Sequence, residues 1–175
     1  MKIYTKTGDN GTSALNDGCR TAKASPIFSV LGELDELSSR IGVLCSFGCL
    51  TIDNESFLRK IQSNIHTINA HIASPTRKSG KNIPPIDSSI ISIIEYEIDK
   101  LDQELPTLTN FIAPGVFAED AHAHLCRTQT RKVERKLWKL GRTRNIPHLE
   151  KRVDGDTEII NLFSVEIDPI IFQYM

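Results

Sequence analysis

Three stretches of the sequence carry Leu and Ile at alternating steps of three and four residues, and that spacing leaves few folds open. Leu31, Leu34, Leu37, Ile41 and Leu44 form one stripe. Leu58, Ile61, Ile65, Ile68 and Ile72 form a second, and Ile91, Ile94, Ile98, Leu101 and Leu105 a third. A period near 3.6 residues puts each set on one face of an α-helix. A helix with one apolar face must bury it against a neighbour, so a succession of such helices predicts an all-α antiparallel bundle. Ser25-Pro26 starts the first helix, because proline at the first helical position loses no needed N–H, and the helix ends near Gly48. The second follows Asp53-Asn54. Asp87-Ser88 caps the third, and Pro106 stops it. A fourth runs from about Ala118 to Leu140, with Gly141 as its C-terminal cap. A last helix starts near Asp156-Thr157, carries Ile159, Ile160, Leu162 and Phe163, and is interrupted at Pro169.

Residues 1–24 carry no helical period. They are punctuated by Gly and Asn and read as extended, with Lys2-Ile3-Tyr4-Thr5 as a short strand. Ser74 to Pro85 and Arg142 to Gly155 are polar loops. At 175 residues with no internal repeat, one domain over 1–175 is expected. The net charge of −1 lacks the basic excess of a general nucleic-acid binder, so an anionic partner must be held by a local cluster. Cys19, Cys45, Cys49 and Cys126 make no CxxC pair and point to buried, reduced thiols rather than zinc ligands. No apolar run approaches membrane-spanning length, and MKIYTKTGDNG has neither a signal region nor a basic leader. The expected setting is cytoplasmic, without a membrane or nucleic-acid partner.

Polar residues gather in three places. Thr5-Lys6-Thr7-Gly8-Asp9-Asn10-Gly11-Thr12 combines two glycines with hydroxyls and an ammonium, the groups that a triphosphate requires. It lacks Walker A spacing, and by itself such a stretch reads as an ordinary turn. Arg20 and Lys23 lie just downstream, either closing over phosphates or standing as solvated loop charge. On the fourth helix, His124, Arg127, Arg131, Glu134 and Trp138 share one face. Two arginines one turn apart suit phosphate oxygens, and Glu134 can hold Arg131. The same spacing also suits a solvent face laced with salt bridges. Asp35, among the leucines of the first helix, is either solvated or paired with a cation from another helix. His122 and His124 face apart, so no metal ligand is assigned to the protein itself.

These clusters occur in an order that resembles the cobalamin adenosyltransferases of the propanediol-utilisation type. IYTKTGDNGTSAL at 3–15 looks like the family's N-terminal ATP-binding segment, and Arg20 and Lys23 match the basic pair after it. LGELDELSSRIG at 31–42 resembles the first-helix signature. NFIAPG at 110–115 resembles the loop that faces the corrin. HLCRTQTRKVER at 124–135 resembles the helix that supplies the ATP-binding arginines, and IINLFS at 159–164 matches the final-helix motif. The resemblance implies a five-helix bundle, assembled as a homotrimer with its ligands at subunit interfaces. It puts Thr5, Lys6, Thr7, Gly8, Asp9, Gly11, Lys23, Arg131, Glu134 and Asn161 at ATP. It implies an inter-subunit salt bridge between Asp35 and Arg127, and it puts Phe111 where an aromatic displaces the lower axial ligand of cobalamin.

The sequence departs from the family pattern at identifiable points. Pro-Gly-Gly becomes Pro114-Gly115-Val116, and the doubled arginine of the fourth helix becomes Arg131-Lys132. The final Asn-Arg-Leu-Ser-Asp becomes Asn161-Leu162-Phe163-Ser164-Val165. The implied activity is transfer of the 5′-adenosyl group of ATP to cob(I)alamin with release of triphosphate. Mg²⁺ would be cofactor, and a flavin or cobalamin reductase a possible partner. The altered final motif keeps open a non-catalytic relative that binds ATP or corrinoid as a sensor or delivery protein.

Overall fold

The computed structural model describes residues 6–75, 82–105, 109–110 and 113–142. Four helices and a two-stranded hairpin make up its regular structure. The hairpin comes first: β1 (Thr12–Ala14) pairs antiparallel with β2 (Arg20–Ala22), Ser13 opposite Thr21. The extended N-terminal segment expected before the helices thus contains a hairpin at 12–22 that was not foreseen. The strand expected at 2–5 lies outside the described residues. The turn closes because Gly18 adopts φ 85°, a conformation open to glycine, and because the Asp17 carboxylate accepts from the Cys19 N–H.

α1 (Pro26–Ser46) starts where the proline signal puts it and stops just before Gly48, whose φ of 71° suits a left-handed helix exit. α2 (Ile52–Ile72) begins slightly earlier than expected: Thr51, rather than Asp53-Asn54, caps it and accepts from the Asn54 N–H. Asp53 and Glu55 then lie in the first turn, where the helix dipole favours negative charge. α3 (Ser89–Glu104) is preceded by Asp87, whose carboxylate accepts from the Ser89 N–H and hydroxyl. α4 (Ala118–Arg142) continues through Gly141 rather than ending at it. One interior glycine costs a helix only about 0.5–1 kcal/mol relative to alanine, and Leu140 beside it is buried in the core. The expected fifth helix lies outside the described residues.

The first two stripes meet as expected, and the third is turned so that Ile90 replaces Ile91 in the core. Leu34, Leu37 and Ile41 of α1, Ile65 and Ile68 of α2, and Cys126 and Val133 of α4 have no exposed surface. Each fully buried Leu or Ile contributes roughly 1.5–3 kcal/mol. On α3 the buried edge is Ile90 and Ile94, while Ile91 and Ile98 pack partly against it and Leu105 is exposed. Two cysteines, Cys45 and Cys126, join the core, whereas Cys19 and Cys49 are exposed, so the thiols are not uniformly buried. Burial pushes the Cys126 thiol up to about 12.

Side-chain contacts fix the helix directions. Ser29 meets Lys136, Glu33 meets Lys132, and Phe47 stacks edge-on against His122, so α1 and α4 run antiparallel. Gln62 of α2 donates to the Ser38 carbonyl of α1. The hairpin docks on the far end of α2, where the Asn16 N–H donates to the Ala73 carbonyl and the Asn16 amide to Ser74 Oγ. One end of the bundle therefore carries the hairpin, the start of α1 and the end of α4. The other end carries the 113–117 segment that leads into α4. A 21-residue helix such as α1 separates these ends by about 30 Å.

Candidate functional site

The hairpin end presents a compact, basic turn. Lys6 holds φ 55°, rare for a residue with a side chain, and Gly11 holds φ 79°. Between them the Asp9 and Gly11 N–H groups close onto the Lys6 and Gly8 carbonyls. A Cβ on Gly8 would sit 3.1 Å from the Thr12 carbonyl oxygen and 3.2 Å from Lys23 Nζ. Glycine thus lets the Lys23 ammonium lie against the turn's backbone, and the Lys23 N–H is fixed by the Gly11 carbonyl. Arg20 has a different use. Its guanidinium donates to the Thr7 carbonyl and to Thr12 Oγ1, both at 2.7 Å, and so braces the turn from behind. Of the downstream pair, Lys23 is the one set beside the glycine turn. Thr5 lies outside the described residues.

The second cluster lies on α4. Arg131 is 49% exposed and pairs with Glu134 at 3.3 Å, the contact expected from their spacing. Arg127 Nε donates to Nδ1 of the buried His124 at 3.5 Å, and His124 Nε2 stands 3.9 Å from Asp120. That chain of contacts seats Arg127 against the helix while Arg131 reaches out. Trp138, half-exposed, extends the same face toward the hairpin end. Lys132 turns elsewhere: its Nζ lies 2.7 Å from Glu33 on α1. Glu33 also accepts from Lys136 at 2.5 Å and from the Gln129 amide at 2.8 Å. Burial pushes the Glu33 carboxyl up, but the hydrogen bonds from Lys132, Lys136 and Gln129 outweigh it and bring the pKa down to about 2. The sequence reading missed this cluster, although Gln129, Lys132 and Lys136 stand at helical spacing.

Asp35 is exposed on α1 and makes no ion pair with Arg127 within the chain. His122 is occupied by Phe47 and by the Ala118 carbonyl. At the opposite end, Asp120 accepts from the Gly115 and Val116 N–H groups, shaping the turn after Pro114. Desolvation opposes its charge, but the Val116, Gly115 and Phe117 N–H groups prevail and hold its pKa below the usual carboxylate range. Gly115 takes φ 108°, and Val116 and Phe117 are 73% and 71% exposed, an apolar edge just after Pro114 and Gly115. Phe111 and Asn161 lie outside the described residues.

A family model for cobalamin adenosyltransferase matches residues 3–164. The chain belongs to the cobalamin adenosyltransferase family. It is 33% identical over 152 residues to the corrinoid adenosyltransferase PduO of Citrobacter freundii, covering 87% of this chain and 45% of that protein. It therefore spans a little under half the length of that relative. The corrinoid adenosyltransferase of Mycobacterium leprae is 34% identical over 141 residues, 78% of this chain and 74% of its own length. Among solved structures, a variant PduO-type ATP:corrinoid adenosyltransferase from Lactobacillus reuteri complexed with cobalamin and ATP shares the fold. Its TM-score is 0.80 at 23% identity, covering 99% of this chain and 91% of that one. Among the described residues, no helix is long and apolar enough to cross a membrane.

Proposed function

We propose that this chain transfers the adenosyl group of ATP to the cobalt of a reduced corrinoid. One observation carries the reading beyond family membership. Two cation-bearing surfaces, the Lys6–Lys23 turn and the Arg127–Arg131–Glu134 face, occur on separate elements and match the family's ATP motifs in order. In the reaction, the cobalt(I) lone pair attacks the ribose C5′. A Co–C bond forms, the C5′–O bond breaks, and triphosphate leaves with the electron pair. No proton comes off the nucleophile, so no general base is needed. The protein's part is to align C5′ with cobalt and to stabilise charge growing on the leaving group.

Lys6, Lys23 and Arg131 supply that stabilisation, with Thr5, Thr7, Asp9 and Asn161 assigned to the nucleotide by motif. Mg²⁺ would enter with the triphosphate and offset its charge, while Glu134 stays with Arg131 and steadies that guanidinium for the nucleotide. Phe111 is assigned by motif to the corrin, where an aromatic side chain would exclude an axial ligand that destabilises cobalt(I). Val116 and Phe117 form an exposed apolar edge at the end of the bundle where α4 begins.

The active form in this reading is a homotrimer. The hairpin and the 113–117 turn lie at opposite ends of one bundle, about 30 Å apart. A nucleotide and a corrin in contact cannot draw on both from a single chain. They can where a neighbouring subunit of the ring brings its own 113–117 turn to the hairpin end. Asp35, exposed and without an Arg127 contact in its own chain, then pairs with Arg127 across that boundary.

Anaerobic incubation with ATP, Mg²⁺ and chemically reduced cobalamin is the test, read by the visible spectrum of the alkylcobalamin. Formation of the Co–C bond with release of one triphosphate is expected. ATP binding without that product would identify a non-catalytic relative, and a fully active monomer at micromolar concentration would rule out the shared site.

A further inference from the structure

Glu33 belongs to none of the nucleotide motifs, yet it binds three side chains of α4. Its own side chain is 13% exposed, and it takes Lys132, Lys136 and the Gln129 amide, while its backbone carbonyl accepts a second Gln129 contact at 3.0 Å. Lys136 is anchored further by Ser29 Oγ at 2.7 Å. The three α4 partners fall at i, i+3 and i+7 and so occupy one strip of the helix. The buried strip of Cys126, Thr130, Val133 and Leu137 comes next around the helix, and Arg127, Arg131 and Glu134 lie beyond it. At about 100° per residue, Arg131 points roughly 130° away from the Glu33 partners, measured over the exposed side of the helix that carries Thr128, Arg135 and Lys139.

We infer that Glu33 is a positioning residue for the nucleotide, fixing the roll of α4 about its axis and thereby the aim of Arg127 and Arg131. The inference rests on the ATP reading of the arginine face. Apolar contacts resist separation of two helices more than they resist rolling, because burial is non-directional. Hydrogen bonds and ion pairs are directional, and three of them on one strip oppose a roll. With side-chain tips about 5–6 Å from the helix axis, a roll of about 20° moves a guanidinium by about 2 Å. Displacements of about 1 Å are enough to cost orders of magnitude in positioned chemistry. The same carboxylate also occupies both lysines, leaving the arginine face to meet the triphosphate.

Glu33→Gln tests this, since it keeps the size and an acceptor for Gln129 but removes the charge. ATP affinity is measured by titration, and the KM values for ATP and corrinoid by turnover, at a temperature where circular dichroism shows the variant fully folded. ATP Kd and KM are expected to rise about tenfold while corrinoid KM stays within about twofold. Glu33→Asp, which keeps the charge, is expected to recover most of the loss. Lys132→Gln/Lys136→Gln breaks the same clamp from α4 and is expected to match Glu33→Gln, which keeps the test open if one variant folds poorly. A folded Glu33→Gln protein with a lower melting temperature but unchanged ATP affinity would overturn the inference, as would equal losses for ATP and corrinoid. Wild-type protein that binds ATP without forming the Co–C bond would defeat the proposed reaction but leave the ATP titration decisive for Glu33.

Discussion

Arg131 and Lys132 are neighbours in sequence, carry the same charge and are almost equally exposed, at 49% and 45%. Their uses differ completely. Arg131 has its acid on its own helix, in Glu134, and projects away from the bundle core. Lys132 is turned by about 100° and finds its acid on α1, in Glu33. An acid one turn away on the same helix steadies a side chain without pulling it off the surface. An acid on another helix uses the charge to join the two. Exposure does not separate a ligand-binding cation from a structural one here; the location of its partner does. The same contrast holds at the hairpin, where Arg20 is bound back to Thr7 and Thr12 while Lys23 lies over the glycine turn.

The largest effect expected is on ATP use, and it should fall on one side of that pair. Arg131→Ala removes a charge-assisted contact to phosphate worth about 1.5–3 kcal/mol, roughly 10- to 150-fold in ATP affinity. Lys132→Ala should alter ATP affinity by less than about threefold, because Lys136 and Gln129 still hold Glu33. The single tryptophan, Trp138, lies on the arginine face and gives a direct readout through its fluorescence on ATP titration. Equal losses for the two variants would break the comparison.

Next in size is the acid stability of the Glu33 clamp. The carboxyl has its pKa lowered from an ordinary 4.5 to about 2 in the folded chain. A depressed carboxylate stabilises the fold above its unfolded pKa, and the contribution is lost as pH falls through the folded one. The loss therefore runs from about pH 4.5 down to about pH 2. Solvent reaching both lysines screens the cluster, leaving on the order of 1–3 kcal/mol. Urea midpoints measured across that window should fall less in Glu33→Gln than in wild type. A parallel pH dependence in the two proteins would place the clamp's energy elsewhere.

What the sequence made legible follows the same division between patterns within one element and contacts between elements. The stripe of Leu34, Leu37 and Ile41, and the stripe of Ile61, Ile65 and Ile68, sit in the core because periodicity is a property of each helix alone. The Arg131–Glu134 pair was legible for the same reason. The Glu33 cluster was not, because about a hundred residues separate its halves and no local pattern links them. The hairpin was missed because three-residue strands carry too few alternations to show a period of two, and its register depends on the Gly18 turn. Gly141 misled the reading of the helix end, since a glycine marks a stop only where packing does not carry the helix past it. The site's parts were read from motifs, whereas the opposite placement of its two ends required the helix directions.

The smallest effect expected tests whether partner location, rather than ion-pair distance, is the quantity that matters. Glu36 and Arg40 on α1 stand at 2.5 Å, as close as Lys136 to Glu33, and Arg40 donates through both Nε and Nη2. By distance the two contacts are equivalent. Yet Glu36 and Arg40 lie four residues apart on one helix and are 43% and 31% exposed. The pair joins nothing that the helix backbone does not already join, and water competes for both charges. Such i,i+4 pairs are worth about 0.3–0.5 kcal/mol. Glu36→Gln should therefore shift the melting temperature by no more than a few degrees. It should also leave ATP affinity within about 1.5-fold of wild type, because breaking it frees no helix to roll. Thermal melts at low and high salt, run beside Glu33→Gln, make the comparison. If Glu36→Gln weakens ATP binding as much as Glu33→Gln, the effect comes from removing negative charge from α1 as a whole. The specific tie between α1 and α4 would then lose its role in aiming the arginines.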